Sequence, residues 1–129
     1  MSTIKIAISC REGRISPVFD VSDTICLVEV DSNREQRRWN VTLLSHNLIL
    51  RVKEISSMGV KVLICGAVSR VLQVALAGAG INVIGFICGN LESVLEAFLQ
   101  GQLMNGRFSM PGCFGQQQRL RLRQRRGKR

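Results

Sequence analysis

Five cysteines, one histidine and a set of loop arginines carry most of the chemistry available to this sequence. Cys10, Cys65 and Cys88 each stand at the end of a short apolar run and are followed by Arg11, Gly66 and Gly89. Thiolates are soft ligands suited to metal-sulfide centres, and a neighbouring glycine lets a bulky ligand approach the backbone. No CxxC or CxxxC spacing occurs, so no preassembled zinc or iron-sulfur motif is present. Cysteine is also one of the most commonly buried small hydrophobes, so core filling stands beside ligation as a reading of each thiol.

A second chemistry is anion binding. The loop Arg11-Glu12-Gly13-Arg14 and the helix starts expected after Gly66 and Gly89 place guanidinium and backbone N–H groups where an anionic cluster or a phosphate would be attracted. Solvated loop charges are the plain alternative. His46, between Leu44 and Leu48, is a competent ligand as a neutral imidazole, and equally a surface or capping group. Trp39 falls in an expected strand, where packing accounts for it.

Other chemistries fail on inventory. A two-metal nuclease needs several carboxylates around ions about 4 Å apart. The first strand carries no acid between Thr3 and Cys10, and Asp20, Asp23, Glu29, Asp31, Glu92 and Glu96 are scattered. The lone histidine has no cysteine or serine partner at a recognisable spacing, and no GxxxxGK[ST] loop occurs. Binding rather than catalysis is what the residues allow.

The formal charge of +9 is concentrated at one end, because Arg119 to Arg129 holds seven basic residues and no acid. Without that run, eleven basic residues face nine acidic ones. The run would bind polyanions in a salt-sensitive, non-specific way, and no aromatic residue follows Phe114 to stack on bases. An alternative function is therefore non-catalytic binding of nucleic acid or an acidic protein partner through this tail.

The elements that position these residues follow from periodicity. Ile4, Ile6 and Ile8 alternate over Thr3 to Cys10, which predicts a strand. Thr24 to Val30 predicts a second strand, and Asp31-Ser32-Asn33 supplies the turn into a third at Arg37 to Leu43. Leu48, Val52 and Ile55 then recur at helical spacing. Val60 to Gly66 is a short apolar run ending at glycine, and Val68, Val71, Leu72, Ala75 and Ala79 form a second helical stripe. Ile81 to Phe86 predicts the last strand, and Asn90 the cap of a helix holding Leu91, Val94, Leu95, Phe98 and Leu99.

Strands joined through helices run parallel, so three antiparallel strands are continued by β-α-β-α into a mixed five-stranded sheet, the ribonuclease H-like α/β architecture, with helices packed on the sheet. The expected domain is 1–103, and 104–129 reads as a flexible basic Gly/Gln/Arg-rich tail. Met1 to Ile8 reads as a strand rather than a signal peptide, and no apolar run reaches the roughly 18 residues that span a bilayer. Reduced thiols, a cytoplasmic location and no membrane contact are expected.

Several stretches resemble one known family. Ile4-Lys5-Ile6-Ala7-Ile8-Ser9, the loop Gly13-Arg14-Ile15-Ser16-Pro17-Val18-Phe19-Asp20, Gly59 to Ala67, and Ala79-Gly80-Ile81-Asn82-Val83 are similar to the NifX-like dinitrogenase iron-molybdenum cofactor biosynthesis family. The resemblance covers about residues 3–103, and the Ser-Pro-Val-Phe-Asp loop is its most specific part. It implies a carrier or chaperone of a metal-sulfur cluster, of iron-molybdenum cofactor or precursor type, that acts in cofactor assembly for nitrogen fixation and is not itself an enzyme. It also implies cluster donor or acceptor proteins as partners, and His46 and Cys113 as metal contacts. Ligands of open sheets sit beyond the carboxyl ends of parallel strands. With that rule the candidate cofactor-binding residues are Cys10, Arg11, Gly13, Cys65, Gly66, Cys88 and Gly89.

Overall fold

The computed structural model describes residues 3–45, 47–103 and Phe108. The alternating isoleucines of the opening segment form β1 (Thr3–Arg11), and the chain reverses at once into a two-residue strand, β2 (Arg14–Ile15). After a single 3-10 turn at Phe19–Val21 come β3 (Thr24–Asp31) and β4 (Arg34–Thr42). The remainder alternates as α1 (Leu48–Ser57), β5 (Val62–Ile64), α2 (Arg70–Gly78), β6 (Asn82–Ile84) and α3 (Leu91–Leu99).

The sheet order is β4-β3-β1-β5-β6, with β2 added beside the end of β1. β1 pairs antiparallel with β3 and parallel with β5, and β6 continues the parallel side. The sheet thus has six strands where five are expected. The added hairpin is made by Glu12 and Gly13, both at positive φ (53° and 79°), the geometry of a tight two-residue turn. Ser32 and Asn33 make the same kind of turn between β3 and β4, as the sequence predicts, and β4 starts at Arg34, three residues earlier than expected.

Period-two alternation divides the core. Ile6, Ile8 and Cys10 of β1 point toward α3 and pack with Val28, Leu91, Val94 and Leu95. Ala7 points the other way, toward α1 and α2, among Phe19, Ile25, Ile55, Leu63, Leu72 and Leu76. The helices start where short side chains stop them: Asn47 caps α1, Ser69 caps α2 and Asn90 caps α3, each accepting from N–H groups of the first turn. The stripe expected on α2 is rotated. Leu72 and Leu76 are its buried pair, packed with Ala7, Ile55 and Leu63, whereas Val71 and Ala79 are exposed.

Candidate functional site

The carboxyl end of the sheet does gather the loops after β1, β5 and β6. Arg14 bridges to Asn90 and Val18 to Ala67. The N–H of Ile15 donates to Gly89 O, that of Leu91 to Gly13 O, and those of Phe19 and Ala67 to Ala67 O and Pro17 O. These residues therefore share one end of the molecule, but through main-chain bonds that consume the amides an anion would use. The α2 start is likewise occupied: Ser69 N–H donates to Asp20 Oδ1 at 2.9 Å, so a carboxylate of the chain itself sits there.

The thiols do not share a rim. Cys10 lies on the α3 side of the sheet and Cys65 on the α1/α2 side, because the two strands present alternate residues to opposite faces. Cys65 is fully buried, and burial, with the Asp20 charge adding to it, pushes its thiol up to about 12. Burial also raises Cys10, and it pushes Cys26 up to about 11. These three buried thiols thus stay protonated near neutrality in the empty protein, and any metal must displace their protons to bind. Cys88 is half-buried, and its N–H donates to Phe108 O at 2.7 Å. Phe108, past the expected domain end at Leu103, packs on the α3-side core and lies against Gly89.

The glycines divide by cause. A Cβ at Gly66 would lie 2.3 Å from Ser16 O and 2.5 Å from Pro17 O, so the Ser-Pro loop itself fills the space beside it. Gly13 serves the hairpin turn, with open space where a side chain would stand. Gly89 adopts φ +129°, and a Cβ there would lie 3.3 Å from the Phe108 ring.

Among the described residues an open groove of about 460 Å³ lies at the end of β1. Its polar lining comes from Arg11, Ser16, Ser22, Asp23 and Thr24, and its apolar lining from Cys10, Pro17, Val18 and Val21. Arg11 and Arg14 are directly opposite on β1 and β2, so their side chains leave the same face of the hairpin. Both are exposed, and neither belongs to an ion pair among the described residues. Two like charges held side by side beside a groove make an anion-attracting edge.

Arg51 is the residue that sequence reasoning missed. It is 1% exposed, donates to the carbonyl oxygens of Ser45, Phe19 and Ser22, and holds its guanidinium 5.4 Å from the Phe19 ring centroid. Its Nε has no partner among the described residues, and the carboxylate that pairs with it there, Asp23, is 4.0 Å away and largely exposed. Arg51 thus pins Phe19 and Ser22, and with them the 19–23 wall of the groove. Ser9 Oγ donates to Ser22 Oγ beneath the same wall. The signal was available, because Arg51 stands three residues after Leu48 and four before Ile55, on the apolar stripe of α1.

The sequence model described as dinitrogenase iron-molybdenum cofactor matches residues 2–101. The chain belongs to that family. No curated protein sequence matches it significantly. Among solved structures it is similar to PH0822, at 16% identity with a TM-score of 0.75, covering 87% of this chain and 98% of that one. It is similar to a Methanocaldococcus jannaschii protein provisionally assigned as a dinitrogenase, at 20% identity and TM-score 0.67 over 79% and 93% of the two chains. The apo form of the orange protein from Desulfovibrio gigas follows at 23% identity and TM-score 0.63, covering 76% and 88%. These likenesses establish a shared mixed α/β fold for the family member described here.

His46, Cys113 and the Arg119–Arg129 run lie outside the described residues. Among the described residues no helix is long and apolar enough to cross a membrane.

Proposed function

We propose that this chain binds and escorts a metal-sulfur cluster, of iron-molybdenum cofactor or precursor type, as an accessory to cofactor assembly with no catalytic step of its own. The cluster is cargo passed between donor and acceptor proteins. The observation that carries the reading is the Arg11–Arg14 pair, in no ion pair among the described residues, beside an open groove in a member of this family. Metal-sulfide clusters are generally anionic, and two adjacent guanidiniums with the hydroxyls of Ser16, Ser22 and Thr24 suit such a guest through charge and hydrogen bonds.

This reading moves the weight of recognition. Of the residues at the sheet end, Arg11 faces the guest and Gly13 lets the hairpin turn that sets Arg14 beside it. Gly66 and Gly89 hold the loops in place, and Cys65 packs. Cys10 and Cys88 contribute at most from the margin, and His46 and Cys113 remain candidate metal contacts. The ribonuclease H-like description of the fold belongs to the same proposal, supported by a central β1 paired antiparallel on one side and parallel on the other.

Anaerobic purification, metal analysis and visible absorption test the proposal. Coloured protein containing iron or molybdenum, or uptake of an added cluster, is expected. Colourless protein that also ignores added cluster would overturn it.

A further inference from the structure

We propose that Cys10 and Cys26 form a two-coordinate site for a thiophilic d10 metal ion, with univalent copper as its representative, between the sheet and α3. The site is separate in chemistry from the anion-attracting groove and does not depend on the cluster-carrier reading.

The register places the pair. Ile8 stands opposite Cys26 across β1 and β3, so Cys10, two residues further along β1, is its diagonal neighbour on the same face. The two residues are thus neighbours on one face of adjacent strands, and the Cys10 charge adds to the upward push on the Cys26 thiol. Both pack in one apolar cluster with Ile6, Val28, Leu91 and Val94.

The surroundings decide the coordination number. No group of three His, Cys, Asp or Glu side chains able to hold a metal occurs among the described residues. Structural zinc and iron-sulfur centres take about four protein ligands, which this pocket cannot supply. A soft d10 ion is satisfied by two thiolates in line, and the apolar side chains packed beside the pair supply no further donor. Cys10 also lines the groove at the end of β1, which gives the ion a way in.

Charge and proton balance are explicit. A univalent ion and two thiols give one dithiolate complex of charge −1 and two released protons: two S–H bonds break, two metal-sulfur bonds form, and nothing is oxidised or reduced. The charged groups facing Cys26 are Arg38 and Glu35 from β4 and Glu92 from α3; Arg38 favours the thiolate and the two carboxylates oppose it. Arg38 bonds both carboxylates, so their charges and its own partly cancel. With both thiols protonated in the empty protein, apparent affinity rises by about two powers of ten per pH unit near neutrality.

The test uses reduced full-length protein carrying Cys88→Ser and Cys113→Ser, so that the thiols outside the pair take no part. Univalent copper is delivered anaerobically from a coloured chelator, and transfer is read from the loss of chelator colour. One equivalent is expected, with the stated pH slope. Cys10→Ser or Cys26→Ser is expected to weaken retention on the order of 100-fold or more, and Cys65→Ser to leave it unchanged. X-ray absorption of the loaded parent should show two sulfur neighbours, a readout that stands even where a serine variant fails to fold. Absence of the tight equivalent, its survival in Cys10→Ser, or a shell of three or more ligands overturns the proposal.

Discussion

Gly66 meets the backbone of Ser16 so closely that a single added methyl group would overlap its carbonyl oxygen, at 2.3 Å. The loop after β1 and the loop after β5 therefore lock through main-chain atoms, and the Phe19–Ala67 and Ala67–Pro17 bonds extend the lock. The Ser-Pro-Val-Phe-Asp stretch shapes the end of the sheet by this contact, and Asp20 completes it by capping α2.

Gly66→Ala should thus be costly although the change is one carbon. Neither neighbour is a side-chain tip that can swing aside, so a loss of about 3 kcal/mol is expected, the upper part of the overpacking range. Gly78→Ala is the matched control, since nothing lies within 4 Å of its added carbon and its φ is not in the left-handed range. It should gain about 0.5 to 1 kcal/mol as a helix former. Urea midpoints at unchanged m-value check both, and equal effects at the two sites would remove the loop-lock account.

Arg51 gives a second expectation. Arg51→Met keeps roughly the volume but removes the guanidinium from the carbonyls of Phe19, Ser22 and Ser45, of which Phe19 keeps the Ser22 N–H, so a loss of about 3 kcal/mol is expected. Arg51→Lys keeps the charge without the planar fork and should fall between the variant and the parent. Hydrogen exchange at residues 19–23 should quicken in both, ahead of the sheet. Uniform acceleration across the protein would mean that Arg51 stabilises the fold generally and not the groove wall.

Why the sequence yields one part of this picture and not another can be argued from single residues. Ile4, Ile6 and Ile8 declare their strand because their neighbours are a strict period of two, and Asn90 declares α3 because its side chain does the capping alone. Cys10 and Cys65 misled because strand ends were counted without parity: reaching the same edge is a matter of length, but facing the same side is a matter of odd or even position. Arg51 was passed over because a cation on an apolar stripe reads as an interruption until the carbonyls that receive it are brought from residues 19 to 22 by the fold. The Glu12–Gly13 hairpin escaped for a related reason, since two residues of strand leave no periodicity to detect.

The sealed thiols set the response to alkali. Cys65 and Cys26 have folded values near about 12 and about 11, above an ordinary value of 9.0. Between those limits the folded chain holds protons that the unfolded chain has released, so stability is unaffected below about pH 9 and falls as pH rises toward 12. The slope should approach about 1.4 kcal/mol per pH unit for each such thiol. Cys65→Ala should flatten the alkaline limb of a stability profile measured by urea unfolding under reducing conditions. An unchanged limb would mean that Cys65 ionises as freely as an exposed thiol.

The hairpin arginines separate binding from stability by the sign of their effects. Arg11 and Arg14 stand directly opposite with no ion-pair partner among the described residues, so their mutual repulsion is a small cost the fold carries. Arg11→Gln and Arg14→Gln should each leave stability level or raise it by about 0.5 kcal/mol, the size of a like-charge pair across strands. If the pair recruits an anionic cluster, the same substitutions should weaken retention of added cluster, and the salt dependence of binding should flatten with them because a charge contact has been lost. A structural role would move both quantities downward together. Cluster titration at two ionic strengths, set beside urea midpoints for the same variants, distinguishes the two: retained binding in the double variant would move the anion site away from this hairpin.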